Sequence, residues 1–451
     1  MLSAEHDRTF AFAYLTILCL ALTTNIETSA ERAFATENEL IPVDFPVFYL
    51  GGKVALQHGT PPLYCPPSDP HRGYSVLYQD RNDNSPWAQT FRANQFPQIL
   101  RFTNPPLCAL VMAPLAMLPW RWAYLIWEIL TILLTAITIY LALKVVPSGP
   151  QLKTFCLAFA AVCFFYPFRN TLVCGQVNVP ILFLWTAGVY FLKGRRPIPS
   201  ALCFALGTAL KVAPIIAVPL LVVRRQWRWL AAYVSGLVGF TAISVWQLGW
   251  QTNLTWLAAI YPSISSGVGN IVNRSFAGFI DALRGPRYFA SFTDATQWPV
   301  PPGLALFERI CSVLICLGFV FWCWRARKDA KGLVHELILS PLVYLVAAPF
   351  SWPHHFVLAI LPLTYLWAKV REATSAERWV LCLSTLVLGT ELPMYVAAFS
   401  PLAASSLIVV AIALWPAATC GIIWVGMRLY VRSQSLEPRA PMLLPQPAAA
   451  I

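Results

Sequence analysis

Charge is what this chain has least of. Only 12% of its 451 residues are Asp, Glu, Lys or Arg, against about 25% in an ordinary soluble domain. So little charge cannot clothe a water-exposed surface, which excludes a free-standing soluble fold. Metal-binding cysteine pairs are missing as well: there are 12 cysteines but no Cys-x-x-Cys spacing, which removes the common zinc frameworks. Most of the cysteines (Cys156, Cys163, Cys203, Cys311, Cys316, Cys382, Cys420) stand inside apolar runs, where a thiol acts as a small hydrophobe. Cys65 and Cys174 fall outside those runs, and a disulfide between them is conceivable on sequence alone. No internal repeat rises above the hydrophobic pattern.

What the chain does have is apolar length. It is 58% hydrophobic, and stretches of roughly 20 apolar residues, enough for a helix to cross a bilayer, recur throughout. The clearest are 121–145, 229–246, 303–324, 333–350, 353–367, 379–397 and 402–427. Tryptophans gather at their ends (Trp120, Trp122, Trp227, Trp229, Trp352, Trp367, Trp379), as in an interfacial belt. The run 10–24 resembles a signal peptide without a convincing cleavage site and is expected to be an uncleaved first helix.

A net charge of +12 invites a nucleic-acid reading, but the basic residues lie in short clusters between apolar segments: 193–196, 224–225, 325–331, 369–371 and 428–432. That pattern marks cytoplasmic loops. It puts four longer connectors outside: 25–104, 169–178, 251–302 and the turn at Ser351-Trp352-Pro353-His354-His355. Two segments fail as simple spans. Residues 105–119 are short and hold Pro114; residues 199–223 are flanked by basic clusters and broken at Lys211-Val212-Ala213-Pro214. Read as re-entrant, they leave every basic cluster inside and point to a polar cavity, because irregular backbone at membrane depth is tolerated only against protein or a cavity.

The expected architecture is an all-α polytopic membrane protein of about 10–12 membrane segments with a long first extracytoplasmic loop. A single transmembrane domain covers 1–432, and a Pro/Ala-rich cytoplasmic tail, 433–451, reads as disordered. Within 25–104, Phe45, Phe48, Tyr49, Gly52 and Leu56 repeat at helical spacing and predict an amphipathic helix on the membrane surface. The stretch 65–84 is rich in Pro, Asp, Asn, Gly and Ser and reads as irregular.

Asp44 is an acid among apolar residues just before that helix. It has two readings that do not exclude each other: a helix cap before a Pro-containing first turn, or a general base whose apolar neighbours raise its pKa. The other loop acids, Glu37, Glu39, Asp69, Asp80 and Asp83, read as solvated surface. His354 and His355 open an apolar segment; neighbouring helical residues face different ways, which makes a poor chelating pair. They read either as interfacial histidines or as phosphate or proton-transfer groups. Gln176 and Asn178 belong to the polar turn Gly175-Gln176-Val177-Asn178, with Asn178 a candidate cap. Lys211, in mid-segment, either faces a cavity or snorkels. Lys53, Arg101 and Arg274 are cations on the outer side, each a candidate phosphate ligand or headgroup anchor. No Asp-x-Asp pair occurs, so no metal is expected in the site.

Taken in order, these pieces resemble glycosyltransferase family 87 of the GT-C superfamily. The resemblance is carried by Asp44-Phe45, Tyr49 to Leu56, Gly59 to Tyr64, Phe102 to Leu107 with Ala113-Pro114-Leu115, Gly175 to Asn178, Ala209 to Pro214, Asn273 to Gly278, and Ser351 to His355. It spans roughly 44–366, departing at Asn104, where the family often has an aromatic, and at 65–94, which looks like an insertion. It implies a GT-C-type helix bundle in the plasma membrane with its active site outside. It also implies a polyprenyl-phosphate sugar donor, usually mannose and in some relatives arabinofuranose, and a lipid or glycan acceptor. By the same analogy the first-loop acid, here Asp44, is the base, and the late histidine is His354 or His355. The donor is a substrate, and no cofactor is implied. The rival reading is a transporter or lipid flippase, which shares the broken helices and Lys211 but predicts inverted repeats.

Overall fold

Prolines and one lysine decide where the helices of this chain end. The computed structural model describes residues 16, 19–20, 22–33, 44–60, 62–64, 85–96, 99–146, 149–265, 272–284, 300–326, 330–390 and 404–436. All regular structure among them is helical, so the chain is an all-α polytopic membrane protein.

Four helices are long and apolar enough to cross a bilayer: Trp120–Val145, Trp227–Leu248, Pro302–Ala326 and Val409–Ser433. The last lies within a longer helix, Ala404–Leu436. Leu152–Phe164 and Tyr166–Cys174 make a fifth span if taken together, bent by 61°. Pro167 sits in the first turn of the second piece, where its missing N–H and ring end the preceding ladder. Shorter apolar helices fill the space between them: Phe45–Leu56, Pro106–Ala116, Asn178–Lys193, Pro197–Leu210, Ala213–Val223 and Gly332–Ala347. Only 17% of the Trp227–Leu248 and Pro302–Ala326 windows is buried within the protein. Their remaining apolar faces, including Trp246, Ile243, Val313 and Leu314, are exposed and suited to lipid.

Several boundaries differ from the expected ones. Residues 22–33 are helical, so the first helix runs past Thr24 into what reads as the outer loop. The connector at 169–178 is mostly helix, through Cys174. The segment 353–367 is not one α-helix: Pro353–Ala359 is a 3₁₀ turn, and Ile360–Ala368 follows it. The last helix continues to Leu436, beyond the expected start of the tail at 433. The rest of that tail, the irregular 65–84 stretch and residues 391–397 of the 379–397 run lie outside the described residues.

The first-loop helix Phe45–Leu56 forms as expected but does not lie on a surface. All but Lys53 and Leu56 of its residues are buried. It packs on Pro106–Ala116, and Gly52 allows the close approach: a Cβ there would stand 2.7 Å from the Met112 carbonyl oxygen. Trp227–Leu248 packs on Pro197–Leu210, which also packs on Asn178–Lys193. Trp229 Nε1 donates to Ser200 Oγ at 2.9 Å and Tyr233 donates to Thr208 Oγ1 at 3.0 Å, so buried polar atoms across this interface are satisfied. Tyr166–Cys174 packs against the Pro353–Ala359 turn, the contact that brings two of the sequence motifs together.

Candidate functional site

Asp44 stands at the N-cap of Phe45–Leu56, yet its side chain makes no capping hydrogen bond. Pro46 in the first turn removes one of the donors a cap would serve. The carboxylate instead accepts from Gln176 Nε2 at 2.8 Å and from the Cys174 thiol, and the Asp44 amide donates to the Cys174 carbonyl at 3.1 Å. By surface area the residue is half-buried, but the carboxylate itself is surrounded by protein. Burial therefore raises its pKa above the ordinary carboxylate value of 3.8; the Gln176 donor, the Lys211 charge and the Cys174 donor pull the other way. The cap reading fails on geometry.

Gly175 makes that contact possible. It closes Tyr166–Cys174 in the left-handed region, at φ +69°. A Cβ at Gly175 would lie 2.5 Å from Phe45 Cβ, so only glycine lets this turn lie against the start of the first-loop helix. The turn delivers Gln176 to Asp44 and starts Asn178–Lys193 two residues later.

Asn178 is not a cap either. It is the first residue of its helix, and its Nδ2 donates to the His354 carbonyl at 3.1 Å while its Oδ1 accepts from Lys211 Nζ at 2.6 Å. Thr171 Oγ1 donates to the same His354 carbonyl at 3.1 Å. Lys211 sits where Pro197–Leu210 ends, in extended conformation at φ −158° and ψ 120°. The 3₁₀ turn Ala213–Ile216 follows, with Pro214 in its first turn. The break seen in the sequence is thus what aims the lysine inward: Nζ lies 3.1 Å from His355 Nε2. His355 Nδ1 accepts from the Trp352 amide at 3.3 Å and fixes the ring. The two imidazoles meet edge to face, their centroids 4.8 Å apart.

Asp44, Gln176, Lys211, His354 and His355 line one cavity of about 920 Å³. Its other walls are largely apolar and include Pro105, Ile215, Ile216, Tyr344 and Phe350. A space of that size, mostly apolar with a few convergent polar groups, is the usual form of a ligand site. The structure adds lining residues that the sequence did not mark as site residues: Tyr166, Asn170, Trp256 and Tyr261, together with Cys174 and Asn104, which it had marked for other reasons. Trp256 donates to the Thr103 carbonyl at 3.0 Å and joins the second outer loop to the first. No local spacing could have marked Tyr166, Asn170, Trp256 and Tyr261; Cys174 had a signal as the residue just before Gly175, and Asn104 as part of the Phe102 to Leu107 motif.

The three candidate phosphate cations, Lys53, Arg101 and Arg274, lie elsewhere. Lys53 Nζ donates to Asn94 Oδ1 at 2.7 Å and lies over the Tyr49 ring. Arg101 is buried. Arg274 is buried with its guanidinium 5.7 Å from the centre of the Trp415 ring. Its motif acts through the backbone and its neighbour: the Arg274 amide donates to the Ser351 carbonyl at 2.7 Å, and Asn273 Oδ1 accepts from the Ser351 amide at 2.9 Å. The second outer loop thereby pins the histidine turn. None of the three is among the described lining residues.

An acid, a lysine and a histidine pair that share one large, mostly apolar cavity inside a polytopic helical bundle define a membrane-embedded ligand site. The sequence profile of glycosyltransferase family 87 matches residues 102–349, more than half of the chain, and the protein belongs to that family. Among similar curated proteins is the polyprenol-phosphate-mannose-dependent alpha-(1-2)-phosphatidylinositol pentamannoside mannosyltransferase of Mycolicibacterium smegmatis, 26% identical over 310 residues, covering 68% of this chain and 65% of the relative. Another is the polyprenol-phosphate-mannose-dependent alpha-(1-2)-phosphatidylinositol mannoside mannosyltransferase of Mycobacterium tuberculosis, 26% identical over 277 residues, 57% of this chain and 60% of the relative. The chain thus spans somewhat less than two thirds of the length of these relatives.

Proposed function

We propose that this protein is an integral-membrane glycosyltransferase that moves a sugar, mannose in the first place, from a polyprenyl-phosphate donor to a glycolipid or glycan acceptor. The observation that carries the reading is the Asp44 carboxylate, freed from capping and held by two donors, in a cavity shared with Lys211, His354 and His355. The related mannosyltransferases support the donor class, since their names specify polyprenol-phosphate mannose.

Asp44 takes the proton of the acceptor hydroxyl as that oxygen attacks the anomeric carbon. The bond between that carbon and the phosphate oxygen breaks, and polyprenyl phosphate leaves with the electron pair. Attack opposite the leaving group inverts the anomeric centre. Lys211, with Asn178 and His355 fixing its ammonium, offsets the charge developing on the phosphate. The reaction so drawn uses one carboxylate and needs no resident cofactor. The basic clusters, read as cytoplasmic, support a site on the outer face of the plasma membrane, and the apolar cavity walls suit a lipid chain.

The test is sugar transfer by purified protein from a synthetic polyprenyl-phosphate mannose to a phosphatidylinositol mannoside. Transfer is expected from the wild type and not from Asp44→Asn, with both proteins melting cooperatively. Normal turnover by Asp44→Asn refutes the base. Movement of labelled lipid across vesicles without any transfer would favour the flippase reading instead.

A further inference from the structure

Three ligating atoms converge at one end of the cavity. An Asp44 carboxylate oxygen, the Cys174 sulfur and a His354 ring nitrogen all lie within 4.8 Å of one another. They arrive from three separate segments: the start of the first-loop helix, the last turn of Tyr166–Cys174, and the turn before Ile360. His354 is only 7% exposed and lines the cavity. Among the described residues neither of its ring nitrogens is engaged in a hydrogen bond, whereas His355 uses both of its own. A buried imidazole with open nitrogens, beside a thiol and a carboxylate, asks for a partner that all three can share.

We propose that Asp44, Cys174 and His354 form a site for a borderline-soft divalent cation, Zn²⁺ foremost, and that an ion held there switches the base off. Thiolate, imidazole and carboxylate are the donor set that zinc accepts, and three protein ligands with a fourth position open is the arrangement of accessible zinc sites. Zinc–ligand bonds of about 2.0–2.3 Å in a tetrahedron put ligand atoms about 3.3–3.7 Å apart. Closing from the present spread requires movement of about 1 Å, which side-chain rotation supplies. Cys174 gives up its thiol proton to solvent on binding, so thiolate and carboxylate together neutralise the dication.

The surroundings fit a ligand shell. Gln176 holds the carboxylate from behind, and the His354 backbone is fixed by Thr171 and Asn178, the outer support that ligands of a metal need. Lys211 is the opposing charge. Its ammonium is drawn toward Asn178 Oδ1 and His355 Nε2, and its repulsion weighs most against ions bound weakly, such as Mg²⁺, which gains nothing from a thiol. The metal site stands on geometry alone. The blocking effect rests on the reading of Asp44 as base, because a carboxylate lone pair engaged by zinc cannot take the acceptor proton.

The full chain in detergent can be titrated with Co²⁺ and Cd²⁺ and followed by thiolate-to-metal charge-transfer absorption. A band saturating at one ion per chain is expected, lost in Cys174→Ser and in His354→Gln and kept in Cys420→Ser. Thermal melting confirms that each variant is folded. A band that survives Cys174→Ser, or no band up to millimolar Cd²⁺, overturns the site. In the transfer assay Zn²⁺ should lower kcat by about 10²-fold, the contribution of a positioned base, and a chelator should restore it; full turnover with the ion bound overturns the blocking. A wild type inactive without any ion would count against the transferase reading, and the absorption band would still decide the site.

Discussion

Replacing Gln176 by leucine tests the electrostatics of the site most directly. Gln176 Nε2 lies 2.8 Å from Asp44 Oδ2 and favours the charged carboxylate. A hydrogen bond to a charged group contributes about 1.5–3 kcal/mol, and about 1.4 kcal/mol corresponds to one pKa unit. Losing it should raise the Asp44 pKa, already raised by burial, by about 1–2 units. The smaller figure is favoured because the Cys174 donor and the Lys211 charge remain. A base works only when unprotonated, so activity is lost as pH falls through its pKa. The acid limb of kcat/KM in the wild type should therefore lie above the ordinary carboxylate range. In Gln176→Leu it should move to still higher pH, with the alkaline plateau little changed. The assay is kcat/KM for transfer across the pH range at fixed ionic strength. A limb that stays in place while the plateau drops would show that Gln176 touches substrate instead of tuning Asp44. A limb that moves toward acid would refute the argument.

Asp44→Asn should stabilise the fold at neutral pH. A folded-state pKa above the unfolded value means that ionisation is disfavoured in the native protein, so wild-type stability declines from below pH 4 up through the folded pKa and then levels off. The gap in melting temperature between Asp44→Asn and wild type should open over that window and vanish in acid. Lys211→Met should lower kcat/KM for the lipid-phosphate donor about 10–100-fold, the value of a charge-assisted contact of about 1.5–3 kcal/mol; an unchanged kcat/KM would remove Lys211 from the phosphate. Gly175→Ala combines left-handed strain of about 1–2 kcal/mol with a clash against Phe45. Its melting temperature should drop and its activity fall with it, whereas Gly149→Ala, where a Cβ meets nothing within 4 Å, should lose only the strain part.

The fold class was readable because lipid imposes a length rule, and the runs 121–145, 229–246, 303–324 and 402–427 became helices that meet it among the described residues, whereas 333–350 and 353–367 did not. Helix ends were less so: the 3₁₀ turn at Pro353 and the helical stretch 169–174 are decided by packing between Tyr166–Cys174 and the histidine turn, which no local pattern reports. For the site, Asp44, Gln176, Asn178, Lys211 and the histidines were each visible as polar residues in apolar company. Lys53, Arg101 and Arg274 carry the same signal but are not among the described lining residues, since a sequence does not say which way a side chain leaves its backbone. Whether Asp44 caps its helix also could not be read, because the answer depends on Gln176, which follows it by 132 positions. The contact of Cys174 with Asp44 was hidden for the same reason, since the two come from different segments.

The His354 carbonyl receives hydrogen bonds from both Thr171 and Asn178, one on each side of the Gly175 turn. That single oxygen rivets two walls of the cavity together, and Asp44 is tied to the same turn through the Cys174 carbonyl. Acid, thiol and histidines therefore travel as one body. Trp256, at the start of a π-helical turn, also lines this cavity and reaches the Thr103 carbonyl through one hydrogen bond.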